Sequence, residues 1–237
     1  MKMHRNLVTT GICLIILGIG TTVQAEVSVR TDPRGDYSAT QVLTTGTRGE
    51  PVVWGLNHRA SRNFHVLNPR GDANGDLWPL ISEPDIAPHH PWVVWSRFNG
   101  TDFDLVWSRW TQEGWSPVGG VNLEPAAGND LDPDMTFKGE GRPYLVWSRE
   151  EDGVSSVYFS AFLLHQWMPG FQISVPDVDS RYPMIVGGKG DSIQVEYDTP
   201  KGAVRQWVMF SRPVTITDDI NPLNYVHVKG LPIYVAD

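Results

Sequence analysis

The stretch RPYLVWSREEDGVSSVYFSAF, residues 142–162, reads as two strands joined by a tight turn. Val146, Trp147, Val157, Tyr158 and Phe159 are the β-branched and aromatic types that suit a pleated, half-buried surface. Between them, Asp152-Gly153 is a hairpin signal. Side chains alternate along a strand, so Trp147 and Arg149 share one face while Val146 and Ser148 share the other.

The tetrapeptide at its centre, VWSR, occurs at 94–97, 106–109 and 146–149, and four segment types recur around it. The first is an apolar strand after Pro or a turn: PVVWG (51–55), PWVVWSR (91–97), RPYLVWSR (142–149) and the weaker DSIQVEY (191–197). The second follows a polar turn: NFHVLN (63–68), DLVWSRW (104–110), SVYFSAF (156–162) and QWVMFSR (206–212). The third sets Trp shortly before Pro: LWPLIS (77–82), GWSPVGGVN (114–122) and QWMPGFQIS (166–174). The fourth carries Pro ahead of an apolar pair: EPDIA (83–87), DPDMTF (132–137) and YPMIV (182–186).

Spacing keeps these types in register: Trp95 to Trp147 is 52 residues, Trp115 to Trp167 is 52, and Pro133 to Pro183 is 50. Four short strands per unit of about 40–50 residues is the mark of a propeller blade. The turns NGTD (99–102), EEDG (150–153) and GKGD (188–191) suit hairpins rather than helical crossovers. No window outside the first 25 residues repeats apolar side chains at helical period with caps. The expected fold is therefore all-β, a propeller-like array of about four four-stranded antiparallel blades. The ring would be closed at four, completed by another chain, or open.

Residues 1–25 have the layout of a signal peptide. Lys2 and Arg5 precede an apolar run from Leu7 to Ile19, and small residues end at Ala25. That predicts a secreted or periplasmic location, with 26–237 as one propeller-like domain and no membrane insertion once the leader is cleaved. Cys13 is the only cysteine and lies in the leader, so the remainder must be held by packing alone. The chain carries a formal charge of −8 and its basic residues are scattered. That balance argues against nucleic acid as a partner, because phosphate backbones reward clustered Lys and Arg.

Two groups of residues could carry chemistry. Arg97 and Arg149 end strands of matching type, and they could converge at the mouth of a ring to bind an anion. Alternatively each Trp packs between adjacent sheets, and each Arg lies across it or meets a carboxylate of a neighbouring blade. Trp92 and Trp110 are tryptophans beyond the one the repeat needs. They are candidates for stacking on a sugar ring or docking a peptide, the alternative being burial between blades. In NDLDPDMTF, Asp130, Asp132 and Asp134 alternate with Leu131, Pro133 and Met135 and would set three carboxylates on one strand face. Such a face offers a calcium site, since hard cations want several oxygen ligands. The competing reading is a turn whose aspartates cap backbone N–H groups and pair with blade arginines.

The order RPYLVWS, hairpin, W-x-P…IS and D-x-D-P-D-M resembles the sialidase-like superfamily of six-bladed propellers and related bacterial exported propeller repeats. The resemblance covers most of residues 37–212 at the level of the repeat. That superfamily's Asp-box turn, Ser-x-Asp-x-Gly-x-Thr-Trp, has no full match. In SRWTQEGW (108–115) Trp110 stands where Asp belongs, and in SREEDGVS (148–155) the Gly is displaced by one residue. The arginine triad, Tyr–Glu pair and acidic proton donor of a sialidase are assigned by no motif here, so the resemblance implies a fold rather than an activity.

Three functions fit these residues. One is a non-enzymatic binding protein for a glycan or protein ligand. The second is a sialidase-like glycoside hydrolase, which needs two carboxyl groups close together in a central channel. The third is a structural component of an envelope assembly, extending to a homo-oligomer that completes the ring.

Overall fold

The computed structural model describes strand backbone in 25–31, 38–44, 52–56 and 64–66, and residues 75–82, 84, 90–122, 127–139, 141–163, 165–211 and 226–234. The predicted leader up to residue 24, most of EPDIA and residues 212–225 lie outside the described residues.

The described chain forms four antiparallel sheets in sequence order. The first contains β1 (Ala25–Thr31), β2 (Ser38–Thr44), β3 (Val52–Leu56) and β4 (Phe64–Val66). The second contains β5 (Asp76–Ser82), β6 (Trp92–Phe98), β7 (Phe103–Thr111) and the short β8 (Gly114–Trp115) and β9 (Gly119–Gly120). The third repeats it with β10 (Asn129–Lys138), β11 (Arg142–Glu151), β12 (Val154–Leu163), β13 (Gln166–Trp167) and β14 (Phe171–Gln172). The fourth contains β15 (Arg181–Gly187), β16 (Ser192–Thr199), β17 (Gly202–Phe210) and β18 (Val226–Tyr234). Each sheet packs on the next in chain order, with β5, β10 and β15 adjacent as successive first strands. This is the expected all-β, propeller-like array of four blades.

The three predicted hairpins form. Phe98 pairs with Phe103 across 99–102, and Glu151 with Val154 across Asp152 (φ 51°) and Gly153 (φ 80°). Both central residues of the latter have positive φ, as a two-residue hairpin turn that matches strand twist requires.

The repeat starts one strand earlier than its sequence suggests. LWPLIS, grouped with the Trp-before-Pro outer segments, lies on β5, the first strand of its blade, opposite VWSR of β6. Its counterparts are DLDPDM on β10 and RYPMI on β15, so Asp76-Leu77-Trp78-Pro79, Asp130-Leu131-Asp132-Pro133 and Ser180-Arg181-Tyr182-Pro183 align. Each of the three strands breaks register at this point: between Leu77 and Leu80, Leu131 and Asp134, and Arg181 and Met184. Proline has no N–H to give the ladder and forces a bulge. In the first blade PVVWG stands third in its sheet rather than second.

Two apolar seams glue the described blades. Trp92 and Val94 of the second blade meet Leu145, Trp147, Phe162 and Trp167 of the third. Tyr144, Val146, Val157 and Phe159 of the third meet Ile193, Val195, Val208 and Phe210 of the fourth. Tyr144 lies edge-on to Phe159 and Phe210 at 5.4 and 5.7 Å. Burial, with the Asp191 carboxylate adding to it, pushes its phenol up to about 12. A raised folded-state value means the neutral phenol contributes stability in full below the ordinary tyrosine value near 10. That contribution is lost as pH rises through about 12. Tyr144→Phe should therefore remove about 2 kcal/mol of alkaline destabilisation. Urea titrations at pH 9 and 11.5 check this, and identical pH slopes in the two proteins would refute it.

Candidate functional site

Two copies of VWSR build one device. In β6, Trp95 Nε1 donates to Asp76 Oδ1 at 2.9 Å and Arg97 Nε donates to the same oxygen at 3.1 Å. In β11, Trp147 Nε1 and Arg149 Nε donate to Asp130 Oδ1 at 2.9 and 2.7 Å, and Arg149 Nη2 donates to Oδ2 at 2.9 Å. Asn122 Nδ2 adds a fourth bond to Asp130 at 2.8 Å. Trp and Arg share a face because strands alternate, and the carboxylate opposite them opens the preceding strand of the same blade. Each arginine also lies over its own tryptophan, Arg97 over Trp95 at 5.4 Å and Arg149 over Trp147 at 6.0 Å, as one expected arrangement had it, while the acid partner belongs to the arginine's own sheet and not to a neighbouring blade.

The serines of these copies face the other way and tie blade to blade. Ser96 Oγ donates to the Asp130 carbonyl at 2.7 Å, and Ser148 Oγ accepts from Tyr182 N at 3.1 Å. Each bond lands on the next blade's first strand, at or beside its bulge. The middle copy differs because it lies on β7, a third strand. There Trp107 Nε1 donates to the Gly120 carbonyl at 3.2 Å, Ser108 Oγ to the Ser116 carbonyl at 2.8 Å, and Arg109 lies over the Trp92 ring.

The other predicted residues are placed as follows. Trp92 is 6% exposed in the seam, stacked on Trp107 at 4.9 Å. Trp110 is half-buried, edge-on to Trp115 at 5.6 Å. Arg97 and Arg149 are 14% and 10% exposed, each in its own clasp, and do not meet. The three aspartates do not share a face, because the bulge at Asp132-Pro133 reverses the alternation. Asp130 pairs opposite Arg149, on the side of the second blade. Asp134 pairs opposite Val146, on the side of the fourth, where its Oδ2 accepts from Ile185 N at 2.7 Å. Asp132 occupies the bulge with φ 51°. Among the described residues no three His, Cys, Asp or Glu side chains gather as a metal-holding group.

The open site lies elsewhere, along β15. A groove of about 730 Å³ runs beside this strand, lined among others by Met184, Ile185, Thr136, Lys138, Glu196 and Asp198. At one end stands Tyr182, 53% exposed. Its backbone is left-handed (φ 55°), a conformation that costs a bulky residue about 1–2 kcal/mol. The bulge and the Ser148 bond hold it there. At the other end Lys138 approaches Gly188, where an added Cβ would lie 2.8 Å from that ammonium and closer still to the Ser192 carbonyl oxygen, so a side chain there has no room.

Neither Tyr182 nor the groove was foreseen from sequence. The available signal was the Tyr-Pro pair in the slot that holds Asp132-Pro133 one blade earlier.

No protein-family model and no curated protein matches this sequence. Among solved structures, a thermostable family-43 glycoside hydrolase is similar over 91% of this chain and 77% of its own, with TM-score 0.50 and 12% identity. A Hadza microbial sialidase matches over 73% of this chain with TM-score 0.49 and 10% identity, and the chain spans 41% of that enzyme's length. An endo-arabinase from Bacteroides thetaiotaomicron matches over 90% of this chain and 75% of its own, with TM-score 0.44 and 11% identity. The likeness is one of fold, the β-propeller, and it does not single out the sialidase type of repeat.

Proposed function

We propose that this chain is an exported, non-enzymatic glycan-binding protein on a propeller-like scaffold, with the groove along β15 as its site. The observation that carries this is Tyr182: an aromatic residue 53% exposed and held in a left-handed backbone conformation at a groove lined by both polar and apolar side chains. The left-handed backbone belongs to the repeated bulge, since Asp132 in the aligned slot has φ 51°; what is particular to this blade is an exposed aromatic side chain there. An aromatic face takes up the apolar face of a sugar ring, while carboxylates and hydroxyls beside it bond the sugar's hydroxyls.

A glycoside hydrolase is the second reading, favoured by the fold of the family-43 enzyme. It asks for a pair of carboxyl groups flanking the scissile bond. Glu196, a groove carboxylate, is bonded to Arg205 Nε at 3.1 Å. Turnover of any glycan found to bind, followed by release of reducing ends, decides between the two readings.

The binding test separates function from stability at one position. Tyr182→Gly should weaken glycan binding about tenfold or more, roughly the loss of 1.4 kcal/mol of stacking. The same change should raise folding stability by about 1 kcal/mol, because glycine adopts positive φ without the Cβ penalty. A glycan array followed by calorimetry measures the first effect, and thermal unfolding the second. A variant that binds as the parent does would remove the groove from consideration. A folded parent that binds no glycan would end the glycan reading.

A further inference from the structure

We infer that the groove is shaped for an extended neutral oligosaccharide lying along β15, and that it rejects glycans bearing carboxylate or sulfate groups. This rests on the glycan reading above and adds the class of ligand.

The first support is how the groove arises. Register equates Val94 and Val146, which fill the two seams, with Glu196, and equates Ser96 and Ser148 with Asp198. In the third blade these positions meet the next sheet: Val146 lies in the apolar seam and Ser148 accepts from Tyr182 N. In the fourth blade the same face carries two carboxylates. What is a dry seam between earlier blades is here a wet, acidic groove that an apolar sheet would not cover without stranding charge.

The second support is where the cations are. Recognition of an acidic sugar calls for guanidinium groups able to fork onto its carboxylate or sulfate. The clasps tie Arg97 to Asp76 and Arg149 to Asp130. Arg181 is bonded to Asp179 at 2.9 Å, and Arg205 to the groove's own Glu196. Lys138 is the cation among the groove's lining residues, at the end away from Asp198. An acidic sugar stacked on Tyr182 would sit beside the Asp198 carboxylate, and like charges at close range penalise the wrong ligand.

The third support is shape. Five residues of β15 between Tyr182 and Gly187 line the groove, about 16 Å of strand at ~3.3 Å per residue, which suits a chain of sugars better than a single ring.

The test is calorimetry of the full chain against two probe sets. One is neutral: β-1,3-galacto-, arabino- and gluco-oligosaccharides. The other is acidic: oligogalacturonate, sialyllactose and a sulfated galactan oligomer. The expected result is binding of a neutral probe at least about tenfold tighter than any acidic one, with the neutral binding weakened in Tyr182→Ala. In the double variant Glu196→Gln/Asp198→Asn the neutral-over-acidic ratio should fall several-fold, because two repelling charges are gone and Arg205 is released. Acidic probes that bind as tightly as neutral ones, through Tyr182, would overturn the inference and leave the glycan reading standing. Absence of binding to both sets would overturn both.

Discussion

Asp130→Ala is expected to cost about 3–5 kcal/mol of folding stability. The carboxylate is 1% exposed and takes bonds from Trp147, Arg149 and Asn122. Removing it leaves a buried guanidinium and a buried indole N–H without their acceptor, and an unpaired buried charge is among the most destabilising defects known. The intact clasp is not cheap either. Burial pushes the Asp130 carboxyl up from its ordinary value against the pull of Arg149 and Trp147, a sign that desolvation of the carboxylate outweighs the attraction. Asp130→Leu/Arg149→Met should therefore be less damaging than Asp130→Ala alone. Urea unfolding of the three proteins measures the coupling. A loss below about 1 kcal/mol in Asp130→Ala would show that the clasp is incidental.

Trp147→Ala should cost about 3–5 kcal/mol through the cavity it leaves. The indole is fully buried between Tyr158, stacked on it at 5.7 Å, and the backbone of Gly170. A Cβ at Gly170 would lie 2.8 Å from the ring, so backbone rather than a movable side chain forms that wall, and the cavity has little freedom to collapse. Trp147→Phe keeps most of the volume and isolates the lost bond to Asp130, about 1–2 kcal/mol. Trp107→Ala, in the copy of VWSR on β7, should cost clearly less, because that indole is only half-buried and donates to a backbone carbonyl. Equal losses at Trp147 and Trp107 would mean that the three copies are equivalent after all. Thermal or chemical unfolding of the four proteins ranks them.

The sequence by itself determined that the chain is all-β, where its hairpins turn, and that VWSR is a blade strand. Those features depend on local chemistry: alternation at period two, β-branched and aromatic runs, and turn residues that accept positive φ. Even the facing of Trp147 with Arg149 followed from alternation alone. The starting point of the repeat did not follow, because Trp-before-Pro occurs both on the first strand and on the outer strands, and only pairing tells them apart. The three aspartates were misplaced for a related reason. One proline bulge reverses the face of every residue after it, so Asp130 and Asp134 look in opposite directions. The groove was less legible still, since an exposed tyrosine and a valine exchanged for glutamate carry no motif. Tertiary structure alone decided that site. A groove at a sheet face exists only by virtue of what packs against the preceding faces, and at β16 the residues that would receive another sheet are Glu196 and Asp198.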